Sequence, residues 1–144
     1  MIRKAEKSDL PGMLRLYSAL YNKPEEAMTE TLKCAWDAVL SDPRQAVLVA
    51  EENGILVSTC VCVIVPNLSR GGTPYALIEN VVTLPEYRGK GWAGKCMAAA
   101  KQLARDAGCY KIMLLTGKKE ETIWRFYENQ GYNRQDKTGF IQWL

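Results

Sequence analysis

Apolar and polar positions follow two different periods along these 144 residues. Leu10, Met13, Leu14, Tyr17, Leu20 and Tyr21 recur at three- and four-residue intervals, which puts them on one stripe of a helix. Ser8 and Asp9 offer capping oxygens in front of it, and Pro11 is tolerated in a first turn. Lys23-Pro24 breaks that helix, and a second amphipathic stretch runs from Glu25 to Leu40 before Ser41-Asp42-Pro43 ends it. A different texture follows in AVLVAEENGILVSTCVCVIVP, two β-rich runs joined by Asn53-Gly54. Both of those residues tolerate positive φ, so the pair predicts a hairpin.

Met1 to Ala5 reads as a short opening strand, and Tyr75 to Thr83 as a strand after the loop Asn67 to Pro74. Pro85 to Gly91 is a turn feeding a helix whose buried face is Ala93, Cys96, Met97, Ala100, Leu103, Ala104 and Ala107, stopped at Gly108. Lys111 to Thr116 reads as a buried strand and Thr122 to Gln130 as a helix ending at Gly131. The tail from Tyr132 to Leu144 is expected to hold one or two short strands around Lys137-Thr138-Gly139. The order β-α-α-β-β-β-α-β-α-β predicts an α/β fold around one mixed sheet, with residues 1–144 as a single domain.

Composition narrows the function classes. Apolar residues make up 47% and charged residues 24%, the balance of a soluble globular chain. No apolar run reaches the roughly 18 residues a membrane span needs, and MIRKAEKSDLPG lacks the apolar stretch of a secretory signal. The expectation is a cytoplasmic protein without membrane partners. A net charge of +3, with the basic residues dispersed, suits an anionic ligand but does not argue for nucleic acid. The chain has no histidine, which removes Ser-His-Asp and Cys-His catalysis and most zinc sites. Cys34, Cys60, Cys62, Cys96 and Cys109 form no C-x-x-C pair and read as reduced, buried thiols. No metal site is expected.

The segment richest in chemistry is Glu79-Asn80-Val81-Val82-Thr83-Leu84-Pro85-Glu86-Tyr87-Arg88-Gly89-Lys90-Gly91-Trp92-Ala93. A strand runs into a glycine-bearing turn that opens a long helix, and free N–H groups at a helix start attract anions. Gly89 and Gly91 let backbone approach a phosphate, while Arg88 and Lys90 add charge at the rim. Taken alone, Gly-x-Gly reads as an ordinary turn. No Walker sequence is present, and the spacing of Gly89, Gly91 and Gly94 is read as coincidental because no early β-α-β unit precedes it.

Arg88-x-x-Gly91-x-Ala93 resembles the [RQ]-x-x-G-x-[GA] signature of the GNAT acetyltransferases. Downstream, Phe126-Tyr127-Glu128-Asn129-Gln130-Gly131-Tyr132 is similar to that family's F-Y-E-x-x-G-[FY] segment, one helix and one strand later as the family has it. The resemblance covers essentially the whole chain and implies the GNAT fold: a single, mixed, mostly antiparallel sheet flanked by about four helices. It implies acetyl-CoA as co-substrate. The backbone of Val81, Val82 and Thr83 should pair with the pantetheine, and Arg88, Gly89, Lys90, Gly91, Trp92 and Ala93 should hold the pyrophosphate. Homodimers, frequent in the family, come with the same resemblance. One departure is visible. Glu120-Glu121-Thr122 stand where many members carry an asparagine that binds the pantetheine arm.

An acceptor amine must lose a proton before it attacks a thioester, and a carboxylate can take it directly or through water. Glu79 interrupts an apolar strand, where a charge needs a reason, so it is the candidate base; the other reading points it to solvent at the open side of the sheet. By spacing alone Tyr127 reads as a packed aromatic beside Ile123 and Trp124, but it aligns with the family's tyrosine, and the resemblance implies a general acid for the leaving thiolate. Direct transfer in a ternary complex is then expected. Ile78-Glu79-Asn80-Val81-Val82 and Gly108-Cys109-Tyr110-Lys111 are similar to glucosamine-6-phosphate N-acetyltransferases, which implies Asn67, Ser69, Arg70 and Asn80 around the acceptor. A small-molecule amine, among them an amino sugar phosphate, is the expected acceptor. A protein or peptide amine, an acyl-CoA-binding module without turnover, and an unrelated nucleotide-phosphate binder stay open.

Overall fold

The computed structural model describes residues 1–144. Strand β1 (Ile2–Lys4) leads through a 3-10 turn into helix α1 (Leu10–Tyr21), which Asn22 closes with a left-handed backbone (φ 51°). Helix α2 covers Glu30–Ser41. It starts five residues later than its apolar pattern suggests, because the Thr29 hydroxyl accepts from the Leu32 N–H and fixes the N-cap there. Strands β2 (Gln45–Glu52) and β3 (Ile55–Val65) form the expected hairpin, with Asn53 at φ 52° and Gly54 at φ 77°. A four-residue helical turn, α3 (Ser69–Gly72), precedes β4 (Tyr75–Thr83). Helix α4 (Trp92–Asp106), strand β5 (Ile112–Leu114) and helix α5 (Glu121–Asn129) complete the chain.

The sheet order is β1-β2-β3-β4-β5, antiparallel throughout except for the parallel β4–β5 pair. This is the mixed, mostly antiparallel sheet that the sequence predicts. Strands β2 and β3 are apolar on both faces because each face carries its own core. On one side α1 and α2 press Leu14, Leu16 and Trp36 onto Val47, Val49 and Val61. On the other, Cys96, Ala100 and Ala104 of α4 pack on Leu48, Cys60, Cys62 and Ile78. Full burial of a side chain such as Leu16 contributes about 2 kcal/mol. The hydroxyls within these strands are satisfied: Thr59 donates to the Leu48 carbonyl at 2.7 Å and Ser58 to the Val82 carbonyl at 2.9 Å.

Three further readings need correction. The tail forms no strand; Phe140, Ile141 and Trp143 stand exposed, because no backbone hydrogen bond ties residues beyond Tyr132 to the short edge strand β5. That strand is itself three residues long and half-buried rather than buried, with Leu115 already exposed. Finally, Cys34 is exposed, whereas Cys60, Cys62 and Cys96 are buried and Cys109 is half-buried.

Candidate active site

Strand β4 positions the site. Val61 pairs with Glu79 and Thr59 with Val82, so Cys60 alone faces the two residues Asn80 and Val81. That extra residue is a β-bulge, with Asn80 in the left-handed region at φ 53°. The bulge re-aims the rest of the strand. Ile78 and Val81 both pack on the α4 side, and Val82 returns to the core under α1. Asn80 lies against Tyr17 of α1, whose hydroxyl burial pushes up to about 12, while hydrogen bonding with Asn80 offsets part of that rise.

Beyond the bulge, β4 separates from β5. Only Ala76, Leu77 and Ile78 are paired with β5, which stops at Leu114, so the β4 edge from Glu79 to Thr83 is unpaired on that side. The strand then enters the turn that begins at Pro85. Gly89 (φ 74°) and Gly91 (φ 79°) both take the conformation that favours glycine, and Gly91 is the N-cap of α4. None of the six consecutive N–H groups from Gly89 to Gly94 donates within the chain; the first bond of the helix runs from the Lys95 N–H to the Gly91 carbonyl at 3.1 Å. A run of six unspent donors at a helix start forms an anion cradle. Arg88 folds back so that its Nε donates to the Thr83 carbonyl at 3.2 Å, tying the turn to the end of the strand. Lys90 stands 4.7 Å from the Tyr87 ring centre and Lys95 4.3 Å from that of Trp92, so both cations flank the cradle.

A profile of the acetyltransferase (GNAT) family matches residues 10–132, which contain the bulged strand, the cradle and helix α5. The chain belongs to the GNAT acetyltransferase family. It is therefore an acyltransferase. Over 136 residues it is 29% identical to a glucosamine 6-phosphate N-acetyltransferase of Trypanosoma brucei brucei, covering 94% of this chain and 90% of that one. A probable glucosamine 6-phosphate N-acetyltransferase of Oryza sativa is 32% identical over 119 residues, covering 78% and 71%. The solved structure of a putative acetyltransferase from Agrobacterium tumefaciens superimposes with a TM-score of 0.94 at 42% identity, covering 100% of this chain and 99% of that one.

GNAT enzymes use acetyl-CoA, and the residues present suit it. The cradle offers donors for a diphosphate, and the open β4 edge offers backbone groups for an amide-bearing arm. Two buried polar atoms without partners, Trp92 Nε1 and Tyr132 Oη, belong to the cradle and to the end of the α5 segment. Gly94 lets α5 close on this turn, since a Cβ there would stand 3.3 Å from Gln130 Nε2.

The sequence-predicted residues fall into two groups. Val81, Val82, Thr83 and Arg88 to Ala93 line one continuous run from the bulge to the cradle. Glu79 is exposed at the mouth of the β4–β5 separation, and Tyr127 is half-buried, its hydroxyl pushed up by burial. Its ring packs edge-on against Phe126 (5.1 Å) and Tyr132 (6.3 Å). Asn67, Ser69 and Arg70 lie elsewhere, in the β3–β4 connection at the opposite end of β4 from the cradle. There the Asn67 amide donates to Ser69 at 2.8 Å, and the Arg70 guanidinium covers the Tyr110 ring at 5.1 Å. Glu120 to Thr122 stand exposed at the start of α5. Three residues beside the site escaped the sequence reading: Tyr17, hidden in the stripe of α1; Gly94, set aside as chance spacing; and Tyr132, quoted in a motif without a role.

No helix is long and apolar enough to cross a membrane.

Proposed function

We propose that the protein transfers the acetyl group of acetyl-CoA to the primary amine of a small molecule by direct transfer in a ternary complex. The observation that carries this reading is the unbroken path from six unspent N–H donors along an open strand edge to Glu79. Bound acetyl-CoA supplies the thioester that the amine attacks. In this reading the N–H groups of Gly89 to Gly94 hold the diphosphate, and the edge of Val81 to Thr83 aligns the arm. Glu79 accepts the proton of the incoming ammonium, directly or through water. Tyr127 donates to the sulfur as the C–S bond breaks. Burial drives the Cys60 thiol far above the range in which thiolate forms, so it makes a poor acyl carrier and direct transfer is favoured.

Amino sugar phosphates belong in the acceptor panel, because two relatives carry that activity in their names. The test is thiol release from acetyl-CoA across amino sugars, polyamines, amino acids and peptide N-termini. At least one amine should accelerate release, and Glu79→Gln should cut that rate by roughly 10²-fold or more. A melting temperature that rises with acetyl-CoA while no amine releases thiol would demote the chain to a binding module. A rise with ATP but not with acetyl-CoA would remove the cofactor assignment altogether.

A further inference from the structure

Three charges on the exposed half of the sheet have no ion-pair partner. Glu79 makes no salt bridge or side-chain hydrogen bond, and neither Arg70 nor Lys111 lies within 4.0 Å of a carboxylate. They sit at the two ends of one strip. Before the bulge, Tyr75, Leu77 and Glu79 alternate onto the same face of β4, and Leu77 is in register with Met113 of β5. Lys111, two residues before Met113, shares that face, with its Nζ 5.0 Å from the Tyr75 ring centre and 5.3 Å from that of Tyr110. Arg70 covers Tyr110 at 5.1 Å. Backbone bonds from Ala76 N–H to the Lys111 carbonyl (3.0 Å) and from Tyr110 N–H to the Pro74 carbonyl (3.1 Å) hold this end in place.

No helix covers the strip. Helix α1 crosses farther along, packing on Val61, Val82 and Leu84, and Leu77 and Met113 belong to neither core. The result is an open floor, apolar in the middle, with a carboxylate at one end and two cations over tyrosines at the other. Its charges are the complement of a molecule that is an amine at one end and an anion at the other.

Resting on the transfer reading above, we infer that this strip is the acceptor track and that it selects primary amines bearing a carboxylate or phosphate about 13 Å from the nitrogen, the four-residue rise from Tyr75 to Glu79. The nitrogen meets Glu79, the chain between lies on Leu77 and Met113, and the anion meets Lys111 and Arg70. A hexosamine phosphate leaves part of the track empty, so longer amines rank above it.

The experiment compares ω-amino carboxylates with ω-amino alcohols of matched length, using the intact protein and acetyl-CoA, and reads the ratio of their kcat/KM values. That ratio should climb with chain length to roughly tenfold where the molecule spans the strip, the worth of one charge-assisted contact. In the Arg70→Gln, Lys111→Gln double variant it should fall back toward one, with a cooperative melt confirming the fold. A flat ratio while the alcohols are acetylated overturns this inference and leaves the transferase reading standing. So does a ratio that survives in the double variant. No acetylation of any amine overturns both. Sedimentation of wild type and variant covers the remaining case. An assembly that dissociates on substitution, with the ratio unmoved, makes this face an interface between copies and overturns the inference.

Discussion

Replacing Tyr127 by Phe isolates one hydroxyl. The ring keeps its edge contacts with Phe126 and Tyr132, and the hydroxyl makes no intramolecular hydrogen bond, so stability should change by less than about 1 kcal/mol. The effect on turnover follows from relative acidities. A thiol titrates near 8.5 and an ordinary tyrosine near 10, and burial raises Tyr127 further. Full proton transfer from this phenol to a thiolate is therefore uphill by at least about 2 kcal/mol, at 1.36 kcal/mol per unit. The useful contribution is then a hydrogen bond to the sulfur as charge builds, worth about 1.5–3 kcal/mol for a charged acceptor. Converted at 1.4 kcal/mol per tenfold, kcat should fall roughly 10- to 150-fold rather than vanish. Thiol release at saturating amine gives kcat, and calorimetric titration with acetyl-CoA should return an unchanged affinity. Wild-type kcat in the variant would refute the role of the hydroxyl, and a large loss of affinity would move that role from catalysis to binding.

Two further outcomes follow from the cradle and the core. Gly91→Trp should cost about 1–2 kcal/mol, since φ 79° is left-handed and a Cβ there meets nothing within 4 Å. The protein should thus melt a few degrees lower yet show no acetyl-CoA-induced shift in differential scanning fluorimetry; a retained shift places the diphosphate elsewhere. Alkali should unfold the protein through its buried phenols. Tyr17 and Tyr132 are pushed up to about 12 by burial, so the folded state holds their protons more tightly than the unfolded chain. Their stabilisation is complete below about pH 10 and is lost as pH rises toward 12, by about 1–3 kcal/mol per tyrosine. Urea midpoints between pH 9 and 12 measure it, and Tyr17→Phe should flatten the decline.

Local signals made most of the fold legible. Asn53-Gly54 names its turn, Gly89 and Gly91 mark the turn before α4, and the stripe of α1 names most of its buried face, missing fully buried Leu16 and including exposed Tyr21. The bulge was not legible, because a one-residue insertion changes which face each side chain takes without changing composition, and Asn80 looks like any strand interruption. The start of α2 was misplaced because Glu25 to Met28 favour helices while the hydroxyl of Thr29 settles the boundary. The tail misled in the opposite direction. Phe140, Ile141 and Trp143 have strand propensity, but propensity does not supply a partner edge. At the site, one stretch of chain names the cradle. No single stretch names the open strip that runs from Glu79 to Tyr75, since it joins β4 to residues 36 positions later.

The uneven exposure of the five thiols has a practical consequence for these assays. Cys34 sits on the outer surface of α2, whereas burial pushes the Cys62 and Cys96 thiols up to about 11 and Cys60 higher still. A disulfide reagent used to count released CoA will therefore react promptly with Cys34 and more slowly with half-buried Cys109, while the three buried thiols stay silent until the molecule unfolds. Cys34→Ser removes the prompt part of that background, and unsubstituted Cys34 is the preferred attachment point for a fluorophore on α2.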